Sequence, residues 1–221
     1  MSHETMRATM GHIPLFSGLG QDEIELLLRA GTKKSFAKNT LLMSEGSRGE
    51  SLYVVQQGKM KVFLSDPDGK EVILSILGPG DFIGEMALID DEPRSAGVMT
   101  MEAAELFVIS KPDFTSCLAK NPELAANLMK GLCQRLRAAD RHIESLALMD
   151  VYGRVARTLL QLAQQSDGRL VINQRLTHKD IGNMVGASRE MVSRIFRDLA
   201  NSGYIRIEDR RIVINDVLQK A

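Results

Sequence analysis

The chain has 221 residues, of which 44% are hydrophobic, and its 28 basic and 28 acidic side chains leave no net charge. This length allows one large or two modest domains, and no apolar run approaches the roughly 18 residues of a membrane-spanning helix. The first residues lack the basic and apolar regions of a secretory signal peptide, so we expect a cytoplasmic protein with no membrane partner.

Thiols and imidazoles are too few and too scattered to suggest a metal centre. Cys117 and Cys133 are the only cysteines, 16 residues apart in a stretch predicted to be helical. We expect buried thiols there and not a disulfide, because the cytoplasm is reducing. Two thiolates cannot hold an iron–sulfur cluster in the usual four-ligand way, and the four histidines lack metal-ligand spacing. We therefore predict no metal.

Short strands follow a short helix predicted at residues 22–28. From about residue 40 to 109, apolar and polar residues alternate in brief runs, and turn residues such as Gly58 and Gly80 separate the runs. Short strands at regular spacing predict an antiparallel sandwich or roll. The strands are expected at residues 52–55, 60–64, 71–77 and 105–109.

The segment from Gly84 to Ala96 places a carboxylate and a guanidinium nine residues apart, with turn-forming residues between them. A helical turn at residues 85–88 would leave backbone N–H groups unpaired, and Arg94 facing them would complete a cradle for a phosphate. Glu85 would repel that phosphate but can accept from a ribose hydroxyl. The pattern predicts a nucleotide pocket; for the segment alone, the alternative is a surface Glu–Arg pair beside a turn.

This part of the chain resembles the cyclic-nucleotide-binding domain, a β-roll whose phosphate cassette has the pattern Gly-Glu, a few residues, then Arg-(Ser/Ala)-Ala. Gly84-Glu85 and Arg94-Ser95-Ala96 match that cassette. The resemblance implies that Arg94 binds the cyclic phosphate and Glu85 the ribose 2′-hydroxyl, in a domain of residues 1–118. The expected ligand contacts in the cassette are Gly84, Glu85, Met86, Ala87, Arg94 and Ser95.

A long helix is predicted to begin at Pro122, with Asn121 as its cap. Apolar residues recur along it at spacings of 3, 4, 3, 4 and 3, which is a heptad seam over nearly three repeats. We interpret residues 119–149 as a parallel two-helix dimer interface; the alternative is a helix packed on its own domain. The seam consists of Met129, Leu132, Leu136, Ala139, Ile143 and Leu146. Asp150 ends the pattern, so the hinge is placed at residues 149–150.

Residues 150–221 have the signals of a winged helix-turn-helix. A helix at residues 151–163 and a strand at residues 168–172 are predicted first. Thr177 then caps a helix, Gly186 ends it and Ser188 immediately caps another. A turn of about three residues that contains a glycine is typical of a helix-turn-helix.

The second capped helix is predicted to read DNA bases. Its charged side chains would face outward, and Arg189, Glu190 and Arg194 lie towards its N-terminal end, where recognition helices contact base edges. Arginine can bind guanine and glutamate can accept from cytosine, which favours G·C pairs. The alternative is a solvated face on an ordinary helix hairpin. The predicted DNA-binding residues are Thr177, His178, Ser188, Arg189, Glu190, Ser193 and Arg194.

A hairpin at residues 204–214 would form the wing, from which Arg206, Arg210 and Arg211 could reach phosphates. The charge distribution agrees with this division of the chain. Residues 150–221 carry 12 basic and 8 acidic side chains, whereas residues 1–149 carry 16 and 20. An acidic half joined to a basic half is what a DNA-binding regulator would show.

The order of roll, long helix and winged helix resembles the cyclic-AMP receptor protein and fumarate–nitrate regulator superfamily of bacterial transcription factors. The run from Gly186 to Arg194 is close to the cyclic-AMP receptor branch, whose matching residues read a TGTGA-like half-site. The N-terminal cysteines that the oxygen-sensing branch needs are missing. The resemblance implies an α+β fold, a homodimer, double-stranded DNA and RNA polymerase as partners, and a cyclic nucleotide as effector.

The resemblance is weakest midway along the long helix, where cyclic-AMP receptors use two hydroxyl-bearing residues to bind the purine. An ungapped alignment from the hinge places Ala139 and Asp140 there. Ala139 cannot bond a base, and ionised Asp140 only accepts hydrogen bonds, which suits the guanine edge. This favours cyclic GMP or cyclic di-GMP, unless Asp140 pairs with Arg137 or Arg141 across the dimer.

The sequence as a whole predicts a ligand-gated regulator that binds a palindromic, TGTGA-like operator as a dimer. Its effector would be of the cyclic AMP or cyclic GMP type. The same regulator could respond to cyclic di-GMP, or it could bind DNA without a ligand and keep only a relic pocket. An enzyme that hydrolyses cyclic nucleotides is the rival from another class, but no metal cluster or nucleophile–base pair supports it.

Overall fold

The computed structural model describes residues 10–11, 13–166, 168–173, 175–208 and 211–215. The fold is α+β, as predicted, and its residues form two compact units that divide between Arg137 and Ala138, inside one long helix. None of the helices in this described part is long and apolar enough to cross a membrane.

The first unit contains a roll of two antiparallel four-stranded sheets. One has the strand order β1–β8–β3–β6 and the other β2–β7–β4–β5. Each predicted strand lies within an observed one. The strands are β1 Gly31–Phe36, β2 Leu41–Met43, β3 Ser51–Gln57, β4 Met60–Ser65, β5 Glu71–Leu77, β6 Phe82–Ile83, β7 Gly97–Thr100 and β8 Ala104–Ser110.

Strand β8 lies between two apolar cores, which explains its nearly continuous burial. Successive side chains of a strand point to opposite faces of the sheet. Phe107 and Ile109 enter a core that also holds helical residues such as Leu124, whereas Leu106 and Val108 enter the core that the two sheets share. The roll is therefore packed on both sides of this strand.

Up to the end of the long helix, a short 3-10 helix at Pro14–Phe16 precedes the α-helices α1 Gln21–Ala30, α2 Met86–Ile89, α3 Lys111–Lys120 and α4 Pro122–Leu148. Asn121 immediately precedes α4, and its side-chain amide donates to the Cys117 carbonyl of α3 at 3.0 Å, so its role as the cap of α4 stays a prediction. Both cysteines are free thiols. Cys117 is buried, but Cys133 is exposed, so the expectation of two buried thiols is wrong for Cys133.

The second unit is a small helical domain with a four-stranded sheet of order β11–β12–β10–β9. The helix break is where it was predicted: α4 ends at Leu148, and the Asp150 carboxylate accepts from the Gly153 amide at 2.8 Å to cap the next helix. The division into domains at residues 118 and 149 stays a prediction. The elements are α5 Val151–Leu162, β9 Gln164–Ser166, β10 Arg169–Ile172, α6 His178–Val185, α7 Arg189–Asn201, β11 Ile205–Glu208 and β12 Arg211–Ile214.

Candidate nucleotide pocket and DNA-binding helices

Gly84 leads the chain out of β6 and into the candidate pocket. Its φ of +95° lies in a region that L side chains rarely adopt. A Cβ at this position would also clash with Arg94 Nη1 and approach the Ser51 carbonyl oxygen to 2.9 Å. Glycine is therefore needed for both the turn and the close approach. The helical turn predicted at residues 85–88 follows directly, as α2.

Arg94 is a nearly buried cation that is held by neutral partners. Its Nη1 donates to the Gly84 carbonyl at 2.6 Å and its Nη2 to the Ser51 carbonyl at 2.7 Å, and only 7% of the residue is exposed. Burial lowers the pKa of Arg94, while the charges of Tyr53 and Glu85 act in the opposite direction. Among the described residues no carboxylate forms an ion pair with Arg94. A buried charge without a counter-ion favours binding of an anion.

Glu85 supplies a buried acceptor beside this cation. It is 1% exposed, and its Oε1 accepts from Arg135 Nη1 at 2.7 Å. Its Oε2 is buried and has no hydrogen-bond partner among the described residues. A buried acceptor of this kind needs a donor, and a ribose hydroxyl is one. Glu85 can thus do what the resemblance implies, although a bound ribose stays a prediction.

Arg135 of α4 is a pocket residue that the sequence patterns did not predict. Besides Glu85, it donates to the Phe82 carbonyl and lies over the Phe82 ring, 4.4 Å from the ring centroid. Because Arg135 belongs to α4, it joins the long helix to the segment that carries the cassette. Glu85 and Arg135 are 50 residues apart in sequence, and no local pattern connects them.

The other predicted ligand residues differ in how exposed they are. Ala87 is buried, whereas Met86 and Ser95 are exposed, with Ser95 Oγ 3.8 Å from Met86 Sδ. Ala139 and Asp140 are exposed on the part of α4 that belongs to the second unit, so their role in ligand binding stays a prediction. Asp140 forms no ion pair within the described part of the chain. Pairing across a dimer also stays a prediction.

The predicted helix-turn-helix caps are all present. Thr177 Oγ1 accepts from the Asp180 amide at 3.1 Å, and Asp180 Oδ2 accepts from the Thr177 amide at 2.8 Å. Gly186 ends α6 in the left-handed conformation, and Ser188 Oγ accepts from the Met191 amide at 3.1 Å to begin α7. These bonds satisfy helix-end groups and fix a short turn between α6 and α7.

On α7 the expected charged residues are exposed, and its buried apolar residues, which do not include Met191, form the domain core with α5 and α6. Ser193 is half-buried, and its Oγ lies 2.7 Å from His178 Nδ1, so its contact with DNA stays a prediction. The His178 ring packs on Phe196, 4.7 Å between centroids; burial lowers the pKa of His178, and the charge of Arg189 lowers it further. The exposed charged residues of α7 are Arg189, Glu190, Arg194, Arg197 and Asp198.

Strands β11 and β12 form the predicted wing. Arg206 and Arg211 are exposed on it, while the Arg210 prediction lies outside the described residues. The seam of α4 is also exposed for the most part: Leu136 and Ile143 each keep 64% of their surface accessible, and Met129, Ala139 and Leu146 are exposed as well. Leu132 is the exception because it is partly buried against the core that contains Phe107 and Leu124.

Two family models match the chain. The cyclic nucleotide-binding domain covers residues 33–121, and the Crp-like helix-turn-helix domain covers residues 153–219. Fold and matches together define a class of protein in which a cyclic nucleotide-binding domain is joined to a helix-turn-helix domain. His, Cys, Asp and Glu residues form no cluster that could hold a metal ion within the described ranges.

Relatives match over most of the chain. The CRP-like cAMP-activated global transcriptional regulator of Mycobacterium tuberculosis is 34% identical over 91% of this chain and 92% of its own length. The cAMP-activated global transcriptional regulator CRP of Salmonella typhimurium is 36% identical over 81% and 87%. The c-di-GMP responsive global regulator CLP of Xanthomonas campestris is 26% identical, with a TM-score of 0.75 over 88% and 99%. The chain belongs to the CRP/FNR superfamily of transcription regulators.

Proposed function

We propose that this chain is a dimeric transcription regulator whose binding to DNA is controlled by a cyclic nucleotide. The observation that carries the proposal is the presence of two buried groups with unused bonding capacity: Arg94, which forms no ion pair with the described residues, and Glu85, whose Oε2 has no hydrogen-bond partner among them. A phosphate with a neighbouring hydroxyl would satisfy both, and a cyclic ribose phosphate provides that combination.

The ion pair between Glu85 and Arg135 gives the ligand a route to α4. Arg135 of α4 binds the Glu85 carboxylate, so a ligand hydroxyl that donates to Glu85 acts on this ion pair. In a dimer formed along the seam, a shift of α4 would set the two α7 helices about one DNA turn apart, roughly 34 Å, as two successive major grooves require. The ligand controls this equilibrium only through its different affinities for the two states.

The named relatives and Asp140 favour different nucleotides. The named relatives are cAMP-activated, which supports cyclic AMP. Asp140, an acceptor where cyclic-AMP receptors carry a hydroxyl, supports a guanine base and thus cyclic GMP. Cyclic di-GMP is the alternative that both Asp140 and the c-di-GMP responsive neighbour favour. A ligand-independent protein with a relic pocket would leave the buried Oε2 of Glu85 without a partner from the described residues.

The proposal includes the partners of the regulator. It would bind a palindromic, TGTGA-like operator as a homodimer in the cytoplasm and act there through RNA polymerase. The nucleotide would be bound and released unchanged, as by a regulator and not an enzyme. The exposed apolar seam of α4 supports the dimer, and the exposed Arg189, Glu190 and Arg194 of α7 support base contacts.

The proposal is tested by calorimetric titration of the full chain with cyclic AMP, cyclic GMP and cyclic di-GMP. Saturable binding of one of them supports the sensor and identifies its ligand. If none of the three binds, the pocket assignment fails while the helix-turn-helix argument stands. An Asp140→Thr variant that shifts preference from a guanine to an adenine nucleotide would support a base contact by Asp140; an unchanged preference would contradict it.

Arg189→Ala should weaken binding to a TGTGA-like duplex by about 1–3 kcal/mol, because an exposed guanidinium at the start of α7 can bind a guanine edge. Fluorescence anisotropy with the operator and a scrambled duplex measures this loss. Arg197→Ala, which removes an equally exposed arginine farther along the same helix, is the matched control. If Arg189→Ala weakens both duplexes equally, the residue contacts phosphates and not bases.

A further inference from the structure

Arg154 bonds the ends of two helices other than its own. Its Nε donates to the carbonyl of Val185, the last residue of α6, at 2.8 Å. Its Nη1 donates to the carbonyl of Met149, the residue after α4, at 2.9 Å. Carbonyls at helix C-termini lack helical partners and carry partial negative charge, so a single guanidinium can donate to both of these carbonyls. All three residues belong to the second unit.

Further bonds surround the same junction. The Met149 amide donates to the Ser145 carbonyl at 3.1 Å, and Asp150 caps α5 through the Gly153 amide. Arg157, one turn beyond Arg154, forms an ion pair with Glu144 at 3.2 Å. The chain between α4 and α5 is thus bonded on both sides and is not a free linker. The predicted hinge at residues 149–150 is braced.

We infer that Arg154 is a positioning residue that couples α4 to the DNA-binding helices. By holding the end of α4 and the end of α6 together, it passes a displacement of α4 to the Gly186 turn and to α7. Without it, residues 149–150 would absorb that displacement. The inference rests on the proposed function, since it is the nucleotide that must move α4.

The position of the two carbonyls favours this role over simple stabilisation. Val185 immediately precedes Gly186, whose left-handed conformation sets the direction of the chain into α7. The Arg154 side chain is half-buried, so its two bonds are shielded from competing water more than those of an exposed residue. The Arg157–Glu144 pair is more exposed, with 32% and 51% of the two side chains accessible, and such pairs contribute little.

The test compares Arg154→Ala with Arg157→Ala, which removes the same charge from the same helix. Calorimetry first identifies which of cyclic AMP, cyclic GMP and cyclic di-GMP binds. Operator affinity is then measured by anisotropy with and without that nucleotide. We expect the ligand-induced gain in affinity to fall about 10-fold in Arg154→Ala and to change less than about 2-fold in Arg157→Ala. Equal gains in Arg154→Ala and the unaltered protein would overturn the inference.

Amide hydrogen exchange without ligand provides a second readout. In Arg154→Ala, exchange at Gly153 and Ala187 should be roughly 10-fold faster than in Arg157→Ala, because the Gly153 amide bonds to the Asp150 cap and the Ala187 amide to the Gly182 carbonyl, and both bonds lie next to the junction that Arg154 holds. Unchanged exchange would mean that Arg154 does not brace the junction. If the unaltered protein binds DNA equally with and without nucleotide, the proposed function fails, and exchange alone then decides whether the brace exists.

Arg154→Lys keeps the test decisive if Arg154→Ala does not fold. Lysine retains the charge but has a single ammonium group in place of the planar fork that reaches both carbonyls. We expect an intermediate loss of the ligand-induced gain, about 3-fold. A lysine variant that keeps the full gain would show that charge alone suffices and would contradict the two-carbonyl brace.

Discussion

Arg94→Ala is expected to abolish nucleotide binding, with an affinity loss of roughly 100-fold or more. The substitution removes a guanidinium that is 7% exposed and lacks a carboxylate partner among the described residues. An arginine–phosphate contact combines charge with two donors in one plane, and losing it at a buried site costs about 3 kcal/mol or more. That corresponds to about two powers of ten in Kd. Isothermal titration calorimetry measures the loss directly.

Two further variants separate ligand binding from folding. Arg48→Ala removes an exposed arginine from the same roll and should leave the affinity unchanged. Arg94→Lys keeps the charge but not the fork that binds Gly84 and Ser51, so it should bind weakly. Thermal unfolding shows whether each variant is folded before titration. A folded Arg94→Ala protein that binds the nucleotide normally would refute the pocket assignment.

Leu136→Asp combined with Ile143→Asp is expected to dissociate the dimer and to lower operator affinity by about 100-fold or more. Leu136 and Ile143 are each 64% exposed in the single chain, and they lie one heptad apart on α4. Facing carboxylates at these positions would place like charges in an apolar interface. A monomer would engage one half-site and lose the benefit of simultaneous binding.

Light scattering coupled to gel filtration measures the mass. The unaltered protein should have twice the 24.4 kDa of one chain, and the double variant should have that of one chain. Gln134→Asp, which adds a carboxylate to α4 away from the seam, is the control and should remain dimeric. A double variant that stays dimeric and binds the operator normally would show that these residues lie outside the dimer interface.

Local signals account for what could be predicted from the sequence. The caps at Thr177 and Ser188 and the left-handed Gly186 each act through residues no more than four positions away, so the helix-turn-helix follows from its own short segment. Strands β3, β4, β5 and β8 of the roll were equally evident, because alternation and turn glycines are short-range patterns, whereas β1, β2, β6 and β7 were not predicted. The Gly84 turn belongs to the same category.

Contacts between distant segments could not be predicted in this way. Glu85 forms an ion pair with Arg135 of α4. The periodicity of that helix identifies its apolar seam but does not show which residues its charged side chains contact. Ser193 was predicted as a DNA-binding residue of α7, yet its hydroxyl also lies 2.7 Å from Nδ1 of His178 on another helix. Tertiary packing determines such pairs, and neither residue carries a sequence signal for its partner.

The most direct test of the account is the affinity of the full chain for a palindromic TGTGA-like duplex, measured by fluorescence anisotropy with and without saturating cyclic AMP, cyclic GMP or cyclic di-GMP. If one nucleotide controls DNA binding, it should lower the Kd for this duplex by at least about 10-fold and leave a scrambled duplex much less affected. Equal affinities with and without every nucleotide would contradict a ligand-gated regulator.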